Sequence, residues 1–146
     1  MSMFKKISLV QWLAWLFALQ FFTVVAVGHI PAFVDAQGKI FGLYGVTPFI
    51  DFGHFLAGLL AAICAWHSHR WATNYFKYAM IPFGLDAVAG IFFSRDITEH
   101  GSLFLNGFGP ADFSLQNILS NIPHVITAGV ALWIGFWLSK RVQPRS

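Results

Sequence analysis

Long apolar runs separated by short polar stretches dominate the chain. Four of them reach or approach the roughly 20 residues that an α-helix needs to cross a bilayer. They cover about residues 9–27, 46–66, 78–93 and 117–138, and the third carries Asp86 at its middle and Pro82 near its start. The pattern predicts an all-α protein, an integral membrane bundle of four helices that forms a single transmembrane domain over residues 1–146.

The composition agrees with a lipid environment. Hydrophobic residues make up 57% of the chain and charged residues 10%, whereas soluble domains carry about 25% charged residues. The 17 Phe and 6 Trp residues suit contact with acyl chains and with the membrane interface. Since the basic residues flank the apolar runs instead of forming a surface patch, no nucleic-acid binding is predicted, and the lipid bilayer is the expected partner.

The distribution of basic residues predicts how the helices are oriented. Most of them lie at the N-terminus, between the second and third runs, or at the C-terminus: Lys5, Lys6, Arg70, Lys77, Lys140, Arg141 and Arg145. The two other loops contain only Lys39 and Arg95. Because cytoplasmic loops are enriched in Lys and Arg, both termini are predicted to be cytoplasmic.

The second and fourth runs each contain a similar four-residue motif near their start. Asp51-Phe-Gly-His54 opens one and Asn121-Ile-Pro-His124 opens the other. Both runs would cross the membrane in the same direction, which predicts a parallel repeat of two helix pairs about an axis along the membrane normal. At about 1.5 Å per residue, both histidines would lie roughly 10–12 Å below the outer boundary, at the depth of Asp86.

Small residues predict which helices pack closely. They follow both histidines and recur in the third run: Ala57, Gly58, Ala61, Ala62, Gly84, Ala87, Ala89, Gly90, Ala128, Gly129 and Ala131. Such residues let helix backbones approach each other, so we expect the last three helices to pack tightly. The first run, rich in Trp and Phe, is expected to face lipid or a partner. The apolar loops at about 28–45 and 94–116 are expected to cover the outer end of the bundle as a lid.

Ionisable side chains within membrane helices are costly and therefore mark candidate functional sites. Two facing histidines at equal depth are suited to bind the iron of haem b as axial ligands, so His54 and His124 are candidate cofactor-binding residues. Asp51 and Asn121, one helical turn before each ring, would orient the imidazoles. This hypothesis predicts a membrane protein engaged in electron transfer.

A transition-metal site is the second form of the same hypothesis. Its nitrogen and oxygen ligands would come from one level of the bundle: His54, His124, Asp86 and Asp51. Imidazole and carboxylate suit zinc, iron or copper. His29 and His100, in the two outer loops, would support the site from above.

Two alternatives use the same residues differently. In one, the polar side chains only hydrogen-bond between helices, and the chain is a structural or accessory subunit that assembles with other membrane subunits or with copies of itself. In the other, Asp86 and the two histidines form a proton or ion relay, because titratable groups at one depth are what a proton path uses.

Two short motifs carry a resemblance to known proteins. His54 and Gly58 form a His-x3-Gly motif in the second run, and Asn121 and His124 form an Asn-x2-His motif in the fourth. In these motifs and in its layout, the chain resembles a group of small four-span bacterial membrane proteins of uncharacterised function. The resemblance implies the four-helix fold and a bacterial inner membrane, and it implies no activity. The long apolar third loop and Asp86 depart from the group's pattern.

Overall fold

The computed structural model describes residues 7–45, 47–93, 107 and 109–142. Over these residues the protein is helical, with four helices long and apolar enough to cross a membrane: α1 (Leu9–Gly28), α2 (Pro48–His67), α3 (His69–Phe93) and α4 (Leu115–Arg141). The prediction of an all-α protein with four membrane-length helices is confirmed.

Consecutive helices run antiparallel. Near the start of α1, the Gln11 side-chain amide donates to the Ala65 carbonyl near the end of α2, at 2.8 Å. Near the start of α4, the Asn117 side-chain amide donates to the Gly90 carbonyl near the end of α3, at 3.1 Å. The bundle therefore has a long-loop end, where α1 and α3 end, and a termini end, where α1 begins and α4 ends.

Hydroxyl side chains fix where α1, α2 and α4 begin, and Ser68 does the same for α3. The Ser8 hydroxyl accepts from the Gln11 backbone amide at 3.3 Å ahead of α1. The Thr47 hydroxyl accepts from the Ile50 amide at 3.2 Å ahead of α2, and the Ser114 hydroxyl accepts from the Asn117 amide at 3.3 Å ahead of α4. Each hydroxyl satisfies a backbone donor that has no partner within its own helix.

Both helices of the second half contain a short π-helical segment. In α3 it covers Tyr75–Ala79, and in α4 it covers Ile134–Leu138. The two segments touch at Gly135, where a Cβ atom would lie 2.8 Å from the backbone nitrogen of Lys77. The glycine thus lets the two backbones approach more closely than any side chain allows.

The helices pack mainly as two hairpins, α1 with α2 and α3 with α4. One face of α1 is buried against α2 and includes Val10, Ala14, Phe17, Ala18 and Phe21. The expectation that α1 faces lipid or a partner therefore does not hold for this face, because the small residues of α2 receive the aromatic rings of α1. A Cβ atom on Gly58 would lie 3.0 Å from the ring of Phe22. The opposite face of α1, with Trp12 at 56% exposure, is open.

The two hairpins meet most closely near the termini end. There Phe76, Met80 and Ile134 are at most 2% exposed and fill the space between them. Towards the long-loop end the hairpins diverge, and two cavities open between them.

The loop between α1 and α2 folds over the long-loop end. It contains a 3₁₀ turn (Pro31–Phe33) and two short antiparallel strands, β1 (Lys39–Ile40) and β2 (Tyr44–Gly45). Phe41 and Gly42 join the strands at positive φ angles of 52° and 72°. Ile40 is buried, so this loop covers the bundle as the apolar pattern predicts. Residues 94–106 and 108 of the other loop lie outside the described residues.

Candidate functional site

His54 of α2 and His124 of α4 face each other between the two hairpins. Their ring centroids are 6.0 Å apart and their planes are inclined by 27°. The Nδ1 atom of His54 lies 2.9 Å from the carbonyl oxygen of Ile50. Because a carbonyl only accepts, Nδ1 carries the proton, and Nε2 of a neutral ring is left as an acceptor. The sequence repeat thus predicts two rings that the structure brings together.

Aromatic rings surround the histidine pair. The centroid of Phe83 lies 5.6 Å from that of His54 and 5.6 Å from that of His124. The ring centroid of Phe21 lies 5.8 Å from that of His54 and 5.1 Å from that of Phe83. The equal distances place the Phe83 ring on the plane midway between the two imidazoles. Sequence reasoning missed Phe83, because nothing in the pattern distinguishes it from the other phenylalanines.

Each of the two carboxylates in the helices has a histidine close to it. Asp86 Oδ2 of α3 lies 3.8 Å from His124 Nδ1, and the Asp86 side chain is only 4% exposed. Asp51 Oδ2 of α2 lies 3.0 Å from His29 Nε2, whose side chain is 66% exposed. His29, expected to support the site from its loop, therefore reaches Asp51 instead of the histidine pair.

Asn121 has a structural position next to His124. It is 2% exposed, and its amide nitrogen lies 3.0 Å from the backbone oxygen of Asn117. Asn117 in turn donates to the backbone oxygens of Gly90 and Asp112, the latter at 2.7 Å. These amides tie the start of α4 to the end of α3. His100, the other supporting residue expected from the sequence, lies outside the described residues.

The first cavity, which we call the loop cavity, lies beneath the α1–α2 loop and between α1, α2 and α4. Its volume is about 320 Å³. Polar side chains from all three helices line it: Gln20, Asp51, His54, Ser120, His124 and Thr127. The Gln20 amide donates to the Thr127 hydroxyl at 3.3 Å. A cavity with this many polar partners is suited to hold ordered water.

The second cavity, which we call the α2–α3 cavity, lies on the other side of the histidine pair. Its volume is about 380 Å³, and most of its wall is apolar. The two cavities share four lining residues, Ile50, His54, Phe83 and His124. The histidine pair and Phe83 thus separate two mainly apolar cavities, of which the loop cavity has the more polar wall.

The geometry gives no support to the predicted four-ligand metal site. Within the part of the chain that the structure describes, no three His, Cys, Asp or Glu side chains are grouped so that they could hold a metal ion. The closest contacts between these residue types are in pairs, Asp51 with His29 and Asp86 with His124.

A haem held by the two histidines would extend along the plane midway between their rings. The Phe83 ring occupies that plane, less than 5.6 Å from the midpoint. Haem ligation therefore requires Phe83 to move aside, and it stays a prediction.

Comparisons with protein-family models, curated proteins and solved structures find no match for this chain. The resemblance to small four-span bacterial proteins consequently rests on the two motifs around His54 and Asn121. The function is therefore inferred from the site itself.

Proposed function

We propose that the protein is a multi-pass membrane protein that relays protons between its long-loop end and the buried carboxyl group of Asp86. One observation carries the proposal. Five titratable side chains follow one another from the surface to the interior: His29, Asp51, His54, His124 and Asp86. Histidine side chains exchange protons readily near neutral pH, and inside membranes histidine and carboxylate side chains commonly form proton paths.

The spacing of these groups suits transfer through hydrogen bonds and water. His29 contacts Asp51 directly, at 3.0 Å. Asp51 and His54 both line the loop cavity, whose volume of about 320 Å³ far exceeds the ~10–15 Å³ that one water needs. The 3.8 Å between His124 and Asp86 is longer than a direct hydrogen bond and calls for a small movement or a bridging water.

Among the described residues, the path can be followed from His29 as far as Asp86. Towards the termini end, Phe76, Met80 and Ile134 are closely packed and apolar. Within the part of the chain that the structure describes, the arrangement is therefore a relay that connects one face of the protein to an internal site. The relay would deliver a proton to a molecule that contacts Asp86 and the histidine pair, or remove one from it.

The basic residues at one end of the bundle indicate its orientation in the membrane. Arg70, Lys77, Lys140 and Arg141 lie at the termini end of the bundle, which agrees with a cytoplasmic position. The long-loop end, with His29, would then face the opposite side of a bacterial inner membrane. The parallel repeat would place the two histidines at one depth, where they face each other from α2 and α4.

The relay predicts that His54 controls how fast Asp86 exchanges its proton. After a pH jump, time-resolved infrared spectroscopy of the protein in liposomes should show the carboxyl band of Asp86, assigned by its loss in Asp86→Asn. In His54→Phe the response should slow by about 100-fold, the scale on which a positioned acid–base group acts.

His67→Phe is the matched control for this measurement. It makes the same change on the same helix but at the termini end. There the His67 ring stacks on the Trp71 ring, with centroids 4.5 Å apart. The rate of Asp86 exchange should not change in this variant. An Asp86 band that responds as fast in His54→Phe as in the wild type, or that never responds, would refute the relay.

A second candidate function is the binding of one metal ion between the two rings. The centroid separation of 6.0 Å favours it, because an ion bound at about 2.0–2.1 Å by one nitrogen of each ring would place the centroids about 6 Å apart. This candidate predicts about one transition-metal ion per chain in elemental analysis of purified protein, lost in His54→Ala. A metal content unchanged by that substitution would rule it out.

A further inference from the structure

We infer that the α2–α3 cavity binds a quinone or quinol that carries an apolar tail. The inference rests on the proposed relay for its purpose, since the head group would hydrogen-bond to Asp86 and the histidine pair, the groups that form the inner part of the relay. The binding itself rests on separate observations: the shape of the cavity, the chemistry of its wall and the polar groups at one side.

The wall of the α2–α3 cavity is suited to a hydrocarbon chain. It is formed by Leu56, Ala57 and Leu60 of α2 and by Ala79 and Pro82 of α3. Leu56 and Leu60 are 41% and 40% exposed, so the apolar wall continues onto the surface of the bundle. In a bilayer that surface faces acyl chains, and an apolar tail can reach the cavity sideways from the lipid.

The polar groups of this cavity are concentrated where it meets the histidine pair. His54, His124 and Asp86 are the polar side chains among its described lining residues. Imidazole nitrogens donate or accept according to their tautomer, and a carboxyl group does so according to its protonation. Oxygen atoms of a carbonyl or a phenolic hydroxyl match both roles.

A planar and neutral head group fits this polar end better than a charged one. Phe83 forms the partition beside both imidazoles and offers a ring face or edge for packing, which favours a planar ring as the head group. A fatty acid would bring a second carboxylate next to Asp86, and two carboxylates at one site disfavour each other's ionisation. The volume of about 380 Å³ falls within the ~300–1,000 Å³ usual for ligand pockets.

The inference is tested by direct binding to the whole protein in nanodiscs. The probe is a benzoquinone with a decyl tail, and equilibrium dialysis measures how much of it binds. Decanoic acid serves as the competing ligand. The wild-type protein should bind the probe saturably at one site per chain. Leu60→Trp, which fills the apolar wall, should weaken binding at least about tenfold, the equivalent of ~1.4 kcal/mol.

Leu59→Trp is the matched control. Leu59 neighbours Leu60 on α2 and is similarly exposed, at 39%, but it does not line the cavity. Its substitution should leave the affinity unchanged.

The possible outcomes separate this inference from the relay. If the probe does not bind saturably, if decanoic acid displaces it at equal concentration, or if both tryptophan variants bind equally, the quinone site is refuted. If the probe binds as expected while Asp86 exchanges its proton equally fast in His54→Phe, the relay fails and the binding site stands.

Discussion

Replacing Gly135 by alanine is expected to destabilise the folded protein by about 1–3 kcal/mol or more, because it overpacks the closest approach between α3 and α4. The new Cβ atom would lie 2.8 Å from the backbone nitrogen of Lys77 and 2.9 Å from the backbone carbon of Phe76. Backbone atoms cannot rotate away as the end of a side chain can. Thermal unfolding of the purified protein in detergent, followed by circular dichroism, measures the effect.

Gly129→Ala, on the same helix, is the matched control, and its expected change in stability has the opposite sign. Among the described residues, and apart from the neighbouring backbone of its own helix, no atom lies within 4 Å of the Cβ position at Gly129. Alanine is favoured over glycine within a helix by roughly 0.5–1 kcal/mol, so this variant should be as stable as the wild type or slightly more stable. Equal destabilisation by the two substitutions would show that Gly135 does not mark a close helix contact.

The lengths of the helices could largely be predicted from hydrophobicity. The predicted start of α1 agrees with the structure, and its predicted end at residue 27 differs by one residue from the observed Gly28. The exception is α3, which begins at His69 instead of residue 78. Arg70 and Lys77 interrupt the apolar pattern there, whereas the Ser68 hydroxyl accepts from the Trp71 amide at 3.3 Å and starts the helix early. Hydrophobicity alone does not detect such a cap.

The packing partners of the helices were harder to predict. Small residues on α2 correctly indicated a close contact, but the pattern assigned that contact to α3 and α4 instead of α1. A groove of small residues can accept either another small-residue face or large rings. Here it accepts Phe21 and Phe22, which lie against Gly58. The choice depends on shape in three dimensions, which the spacing of residues does not encode.

The histidine pair could be predicted because its signal lies in the chain itself. Two similar four-residue motifs placed His54 and His124 at matching positions. That the two rings lie close together then followed from the geometry of a helix bundle. The surroundings carry no such signal. Phe83 and Thr127 reach the site only through the tertiary fold, and His29 reaches Asp51 only because its loop turns back over the helix end.

Phe83→Ala is expected to strengthen the binding of haem b, because it removes the ring that haem ligation would have to displace. In the wild type the Phe83 ring lies midway between the imidazoles, where the macrocycle would have to extend. Removing that ring joins the two cavities on either side of the pair, since both are lined by Phe83. Two histidines about 6 Å apart would then be able to bind the iron from opposite faces.

Titration with haem in detergent, followed by absorption spectroscopy, tests this expectation. The single variant should give a Soret band typical of two imidazole ligands, and the double variant Phe83→Ala/His54→Ala should not. Phe92→Ala, a phenylalanine of the same helix that is 51% exposed, should behave like the wild type. A wild-type protein that already binds haem through both histidines would show that Phe83 swings aside. In that case electron transfer, and not proton relay, becomes the better account of the site, because the iron would lie between the two rings that the relay must connect.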